Sequence, residues 1–369
     1  MGQTTRYGMI GCGMMGQEHL TNIALLPDTA VTVIYEPDAA MRAIAADLAP
    51  HARFVETLDD LLADSALDCL VITSPNHCHA DQMAEIAARN PLPLLVEKPL
   101  LTDPADIPRL KEIAAAYPAP IWVAMEYRYM PPIAALLDDV ETATGGIRML
   151  SIREHRFPFL QKVGNWNRFN HQTGGTFVEK CCHFFDLMRL MIGNDPIRVM
   201  ASASQSVNHL EETYDGATPD ILDNGFVIVD FACGARAMLE LCMFAEGARY
   251  QETIAALGPA GKIEAFVPGP TRFWPDDLGP APTPILEVSP RAPKRPETRA
   301  IPVDPLLLAA GDHNGSTFYQ HQRFLDVVRG VSSTPEVTFE DGLRAVEMGM
   351  AAQRSALTGQ AIDLQAETR

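Results

Sequence analysis

Long apolar runs are missing from this 369-residue chain. No uncharged stretch approaches the roughly eighteen residues that a membrane-spanning helix needs. Basic residues are also scarce, with 29 Lys and Arg against 47 Asp and Glu and a formal net charge of −18. A nucleic-acid groove or an anionic membrane surface needs clustered Lys and Arg, so neither kind of partner is expected. The seven cysteines fall at positions 12, 69, 78, 181, 182, 233 and 242, with no C-x-x-C pair among them. Their odd number and spacing argue against a disulfide framework or a zinc site and point to a reducing cytoplasm. No charged segment followed by a short apolar one precedes the first strand pattern, and Arg6 spoils a myristoylation signal at Gly2. Repeats and low-complexity tracts are absent from the pattern as well.

What is present suits a globular protein with a small-molecule partner. Hydrophobic residues make up 47%, and mean hydropathy is −0.01. The length exceeds one comfortable core, so two domains are expected, at 1–127 and 128–369.

The first motif is Gly11-Cys12-Gly13-Met14-Met15-Gly16, set between the apolar run Tyr7 to Ile10 and a helix-patterned segment. A strand, a glycine turn and a helix start place unpaired backbone N–H groups and a partial positive charge where a pyrophosphate can dock. The amides of Gly11, Gly13, Met14, Met15 and Gly16 are the expected contacts. A second apolar run, Val31 to Tyr35, ends at Glu36. A Rossmann unit places there a carboxylate that accepts hydrogen bonds from the adenosine ribose, and like charge would reject a 2′-phosphate. The expected cofactor is therefore NAD, with NADP disfavoured.

Short β-rich runs near Tyr7, Val31, Cys69, Leu94 and Ile121 alternate with helical ones, which predicts a doubly wound parallel sheet. Past Pro131 the pattern becomes long β-runs with few helices, predicting an α+β domain with a large, mostly antiparallel open sheet. A helix is expected from Phe177 to Ile192. Eleven prolines between Pro268 and Pro305 suggest an irregular loop. An open sheet face needs burial, so a homodimer or homotetramer is expected.

Polar motifs fall at the carboxyl ends of the parallel strands, where ligands bind in such sheets. Ser74, Pro75, Asn76 and His79 follow one strand; Glu97 and Lys98 follow the next; Arg128 follows the last. All are read as cofactor contacts. Lys98 can also steady a developing alkoxide. Farther on, Glu179, His183 and Asp186 fall at i, i+4 and i+7, one face of a continuous helix. On that geometry Glu179 orients His183 as general base, with an apparent pKa near neutrality. A metal held by the same three residues is the less favoured reading, and none is expected. Trp166 and Asn167 on a preceding loop, and His313 before a later helix, are the remaining candidates for substrate contact.

Taken in order, Gly11-x-Gly13-x-x-Gly16, Glu36, Ser74-Pro75-Asn76-x-x-His79, Glu97-Lys98-Pro99 and Gly174-Gly175-(x)3-Glu179-(x)3-His183 resemble the Gfo/Idh/MocA family of nicotinamide-dependent oxidoreductases. The resemblance spans nearly the whole chain. It implies hydride transfer between NAD and a secondary alcohol of a sugar or cyclitol, with Lys98 and His183 as the catalytic residues. It also leaves room for redox-assisted glycoside hydrolysis and for a non-catalytic dinucleotide sensor. One departure stands out: inositol-dehydrogenase-like members usually carry Asp where this chain has Glu179.

Overall fold

Strands that are apolar on every residue must be covered on both faces, and the first half of the chain does this with helices. The computed structural model describes residues 4–365. Its first elements are β1 (Thr5–Ile10), α1 (Met14–Ala24), β2 (Thr29–Tyr35), α2 (Ala39–Leu48), β3 (Arg53–Val55) and α3 (Leu58–Leu62). They are followed by β4 (Cys69–Ile72), α4 (His79–Arg89), β5 (Leu94–Val96), α5 (Ile107–Ala116) and β6 (Ile121–Val123). The six strands form one parallel sheet in the order β3-β2-β1-β4-β5-β6. Every residue of β4 and β5 is buried. The order reverses beside β1, so β1 and β4 open a crevice at their carboxyl ends.

The second half opens with α6 (Pro131–Thr144), β7 (Met149–His155), α7 (Asn170–Thr173), α8 (Thr176–Glu179) and α9 (Cys182–Ile192). Next come β8 (Pro196–Ser204), β9 (Asn224–Phe231), β10 (Arg236–Cys242), β11 (Glu252–Leu257), β12 (Gly261–Val267), β13 (Ile285–Pro290) and β14 (Glu297–Ala300). The last elements are α10 (Pro305–Ala309), α11 (Ser316–Val328), α12 (Phe339–Thr358) and β15 (Ile362–Asp363). Nine strands make one sheet, β14-β13-β12-β11-β7-β10-β9-β8-β15, antiparallel except where β7 pairs with β10. One face packs on α6 and α12, with α9 lying against α12. The other is open, with Phe226 57% and Ile228 43% exposed, and the pairing aligns Ile228 with Met200 and Met238.

Two expectations are corrected. The proline-rich stretch is not all loop, because β13, free of proline except at its last residue Pro290, pairs with β12, while β14 adds an edge strand. The helix expected from Phe177 to Ile192 is broken after Glu179. A further element, α12, follows a capping box in which Thr338 and Asp341 satisfy each other's backbone N–H groups.

Candidate active site

The glycine turn divides its work among three residues. Gly11 has φ +87°, and a Cβ there would meet the Ser74 Cα at 2.7 Å. A Cβ on Gly16 would meet the Gly11 carbonyl at 2.7 Å, so α1 can lie against β1 only with glycine there. A Cβ on Gly13 would meet nothing within 4 Å. That opening, at the end of α1 where no side chain caps the helix, is the cradle a pyrophosphate requires. Glu36 accepts from the Cys12 N–H and, at 2.8 Å, from the Asp38 N–H, which fixes its carboxylate at the far end of the same cavity. Arg42, the nearby cation, points elsewhere: its guanidinium binds Glu56 at 2.8 Å and the Val55 carbonyl at 2.9 Å.

The cavity measures about 510 Å³. Gly11, Gly13, Met14, Met15 and Glu36 line it, as do Ser74, Pro75, Asn76, Glu97, Lys98 and Trp166. Its residues fit a dinucleotide from adenosine ribose to nicotinamide. A larger groove of about 1220 Å³ lies against α5 and α12 and includes neither Lys98 nor Glu36.

Several candidates take other places. His79 is fully buried, with its ring nitrogens facing the carbonyls of Pro99 at 2.8 Å and Ser74 at 3.1 Å, so it ties two strand ends together and does not line the cavity where a cofactor contact was expected. Arg128 is also corrected from cofactor contact to structural ion pair. Its guanidinium bonds Asp186, at 2.6 Å from Nε, and the Glu336 carbonyl at 2.9 Å. Asn167 is buried and its amide donates to the Leu160 carbonyl at 2.9 Å, which braces its loop, while its Oδ1 has no partner. His313 lies 6.1 Å from Tyr127, ring to ring. Its Nδ1 stands 2.9 Å from Glu18 and 3.5 Å from Glu126. Burial works against its charge, but the two carboxylates outweigh it and lift its pKa to about 9. Glu18, Glu126 and His313 thus gather three potential metal ligands, with the imidazolium itself supplying the balancing charge.

Glu179 does not orient His183, because the two are on different helices. The break leaves the Glu179 carbonyl without a helix partner, and Lys98 Nζ donates to it at 3.2 Å. The Glu179 carboxylate accepts from Lys162 Nζ at 3.2 Å through Oε1, while its buried Oε2 has no partner. Asp186 is committed to Arg128. Tyr127 orients His183 instead, stacked on its ring at 4.0 Å and 8°. Lys180 in turn donates to the Tyr127 hydroxyl at 2.6 Å and pairs with Glu154 at 2.8 Å. The His183 Nδ1 is buried without a partner. Desolvation, then the charges of Lys98, Lys180, His313 and Arg156, drive the His183 pKa well below its ordinary value.

Lys98 behaves in the opposite way. Burial works against its ammonium, but Cys182, Glu97 and Glu179 outweigh it and raise the pKa. Glu97 is held by His19 at 2.8 Å and accepts from the Lys98 N–H at 3.1 Å, which sets the strand end. Lys162 is the residue at the site that no motif marks; Tyr127 is readable from the sequence, beside Arg128 after the last parallel strand, but as a residue facing the cofactor and not as the ring stacked on His183.

A dinucleotide cavity, a charged lysine and a neutral buried histidine define a nicotinamide-dependent oxidoreductase site. The profile of the oxidoreductase family's NAD-binding Rossmann fold matches residues 5–125. That of its C-terminal alpha/beta domain matches residues 143–364. The chain belongs to the Gfo/Idh/MocA oxidoreductase family, an NAD-dependent one in this first domain. It is 27% identical over 278 residues to the rhizopine catabolism protein MocA of Rhizobium meliloti, covering 74% of this chain and 80% of that one. It is 30% identical over 201 residues to the inositol 2-dehydrogenase of Corynebacterium glutamicum strain R, covering 54% and 57%. An Agrobacterium radiobacter oxidoreductase solved with NAD+, L-tartaric acid and magnesium shares the fold, with TM-score 0.80 and 17% identity over 99% and 100% of the two chains.

Proposed function

We propose that the protein oxidises, reversibly, a secondary alcohol of a cyclitol, sugar or sugar derivative. Bound NAD supplies the hydride acceptor. The observation that carries the reading is a pair of buried, unpartnered polar atoms, Glu179 Oε2 and His183 Nδ1, flanked by Lys98. Among the buried polar atoms without a partner, these two stand out because Lys98 contacts the Glu179 main chain and its charge acts on His183, and hydroxyl groups of a ligand there would satisfy both. His183, uncharged at neutral pH, takes the hydroxyl proton. The Lys98 ammonium donates to the oxygen as negative charge grows on it. The inositol 2-dehydrogenase name of one relative favours a polyol over an aliphatic alcohol. Residues 1–127 would hold the cofactor, and 128–369 the substrate, with Trp166 offering an aromatic face and His313 a fixed cation nearby.

A panel of cyclitols and pyranoses, followed at the NADH absorbance band, tests the reading. Net NADH should accumulate with an unsubstituted sugar or inositol, and with NAD+ in preference to NADP+, because Glu36 is fixed and Arg42 is turned away. Accumulation only transiently, with cleavage of a glycoside, would instead establish redox-assisted hydrolysis. Absence of turnover with retained NADH binding would leave the sensor.

The open sheet face supports a homodimer or homotetramer, since Met200, Ile228 and Met238 lie in one row across it. Light scattering at micromolar concentration should exceed the chain mass of 40.3 kDa at least twofold; the mass of a single chain would reject this. All seven thiols are free, which fits a cytoplasmic setting. Among the described residues no helix is long and apolar enough to cross a membrane.

A further inference from the structure

Lys162 enters the cavity from a loop with no recognisable motif. The loop joins β7 to α7 and turns back on itself at Gly164 and Asn165, whose φ angles are 66° and 54°. The turn brings Gln161, Lys162, Val163 and Trp166 to the cavity wall opposite the glycine turn. Lys162 Nζ lies 4.3 Å from the centroid of the Trp166 ring and 3.2 Å from Glu179 Oε1. Lys162 lines the cavity, and its partner Glu179, with a side chain only 3% exposed, lies behind that wall.

An ammonium has three N–H donors, and only one of these is used by Glu179 Oε1. The remaining donors of Lys162 and the unpartnered Glu179 Oε2 therefore present one donor set and one acceptor side by side. A hydroxyl group is both donor and acceptor, and it satisfies the two at once. Glu179 also touches Lys98 through its main-chain carbonyl. The two lysines thus share one residue, so the oxygens they hold belong to adjacent parts of a ligand.

We propose that Lys162 and Glu179 together bind the hydroxyl on the carbon next to the one that is oxidised, so that the substrate is a vicinal diol. This rests on the polyol reading above, with Lys98 at the reacting oxygen. Lys162 is the specificity-determining member of the pair: Trp166 steadies its ammonium, and the ion pair turns Glu179 Oε2 toward the ligand. An alcohol lacking the second hydroxyl would leave Glu179 Oε2 and the spare Lys162 donors unsatisfied, and sites built around a hydroxyl reject such analogues strongly.

The experiment compares myo-inositol with 1-deoxy-myo-inositol, or D-glucose with 2-deoxy-D-glucose if a pyranose is the better substrate of the panel. The wild type should prefer the parent by on the order of 10- to 100-fold in kcat/KM, as for a hydrogen bond to a charged group. Lys162→Met keeps the apolar stem over Trp166. It should bring that ratio close to one by weakening the parent far more than the deoxy compound, mostly through KM. Lys162→Arg should restore part of the preference. If Lys162→Met weakens both compounds equally, or leaves the ratio intact, the proposal is overturned. Calorimetric titration of the same compounds into the NADH-saturated protein reads the discrimination without turnover. A wild type that binds the parent more tightly yet turns over neither compound would therefore fault the proposed reaction and not the role of Lys162.

Discussion

His183→Ala should lose on the order of 100- to 10,000-fold in kcat for alcohol oxidation and still bind NADH as the wild type does. The imidazole is outside the glycine cradle and holds no part of the dinucleotide site, so cofactor titration by fluorescence should be unchanged. Its ring is held by stacking on Tyr127 at 4.0 Å, and Nδ1 has no partner to lose. Truncation therefore removes a proton acceptor without stranding a neighbouring donor. A variant that keeps more than about a tenth of wild-type kcat on a good substrate would show that the base is elsewhere.

The pH profile sharpens the same prediction and corrects the sequence expectation of a pKa near neutrality. Only the neutral imidazole accepts a proton, and it dominates above the pKa. Burial and four surrounding cations depress that pKa well below 6.5. Oxidation governed by this group should therefore be flat across neutral pH and fall only on the acid side of the ordinary imidazole range. An inflection near 7 would contradict the environment seen around His183.

Local pattern carried the framework of the site. Glycine spacing, the carboxylate after the second strand and the lysine after the fifth all follow from how a strand hands over to a helix, and all three line the cavity. Contacts distant in sequence were beyond its reach. A helical period over Phe177 to Ile192 cannot show that a lysine 81 residues earlier claims the Glu179 carbonyl, nor that the chain breaks there. Arg128 read as a cofactor ligand from its place at a strand end, whereas a partner 58 residues away decides its role. Lys162 lies in irregular chain, where spacing carries no period at all. The proline count misled in a different way, since it averaged over a stretch in which the prolines leave 285–289 clear and a strand runs there up to Pro290.

Lys98→Met should reduce kcat on the order of 100- to 1,000-fold, the scale typical of removing one preorganised donor from a developing oxyanion. The effect follows from charge and place together. Glu97 and Glu179 help keep the ammonium protonated through the range in which His183 is neutral. Lys98 is then a donor to the substrate oxygen, and His183 is left as the base. Losing the ammonium has a second consequence that separates this role from a purely structural one. After desolvation, the charge of Lys98 does most to depress the His183 pKa. Its removal lets the imidazole retain its proton to higher pH, so the acid limb of the residual activity should shift upward relative to the wild type. Lys98→Arg keeps the charge but presents a broad planar fork where a compact ammonium fits against the Glu179 carbonyl. It should leave the acid limb near the wild-type position while still losing most of kcat. A Lys98→Met profile that coincides with the wild type in shape and position would mean that the two groups do not share a site.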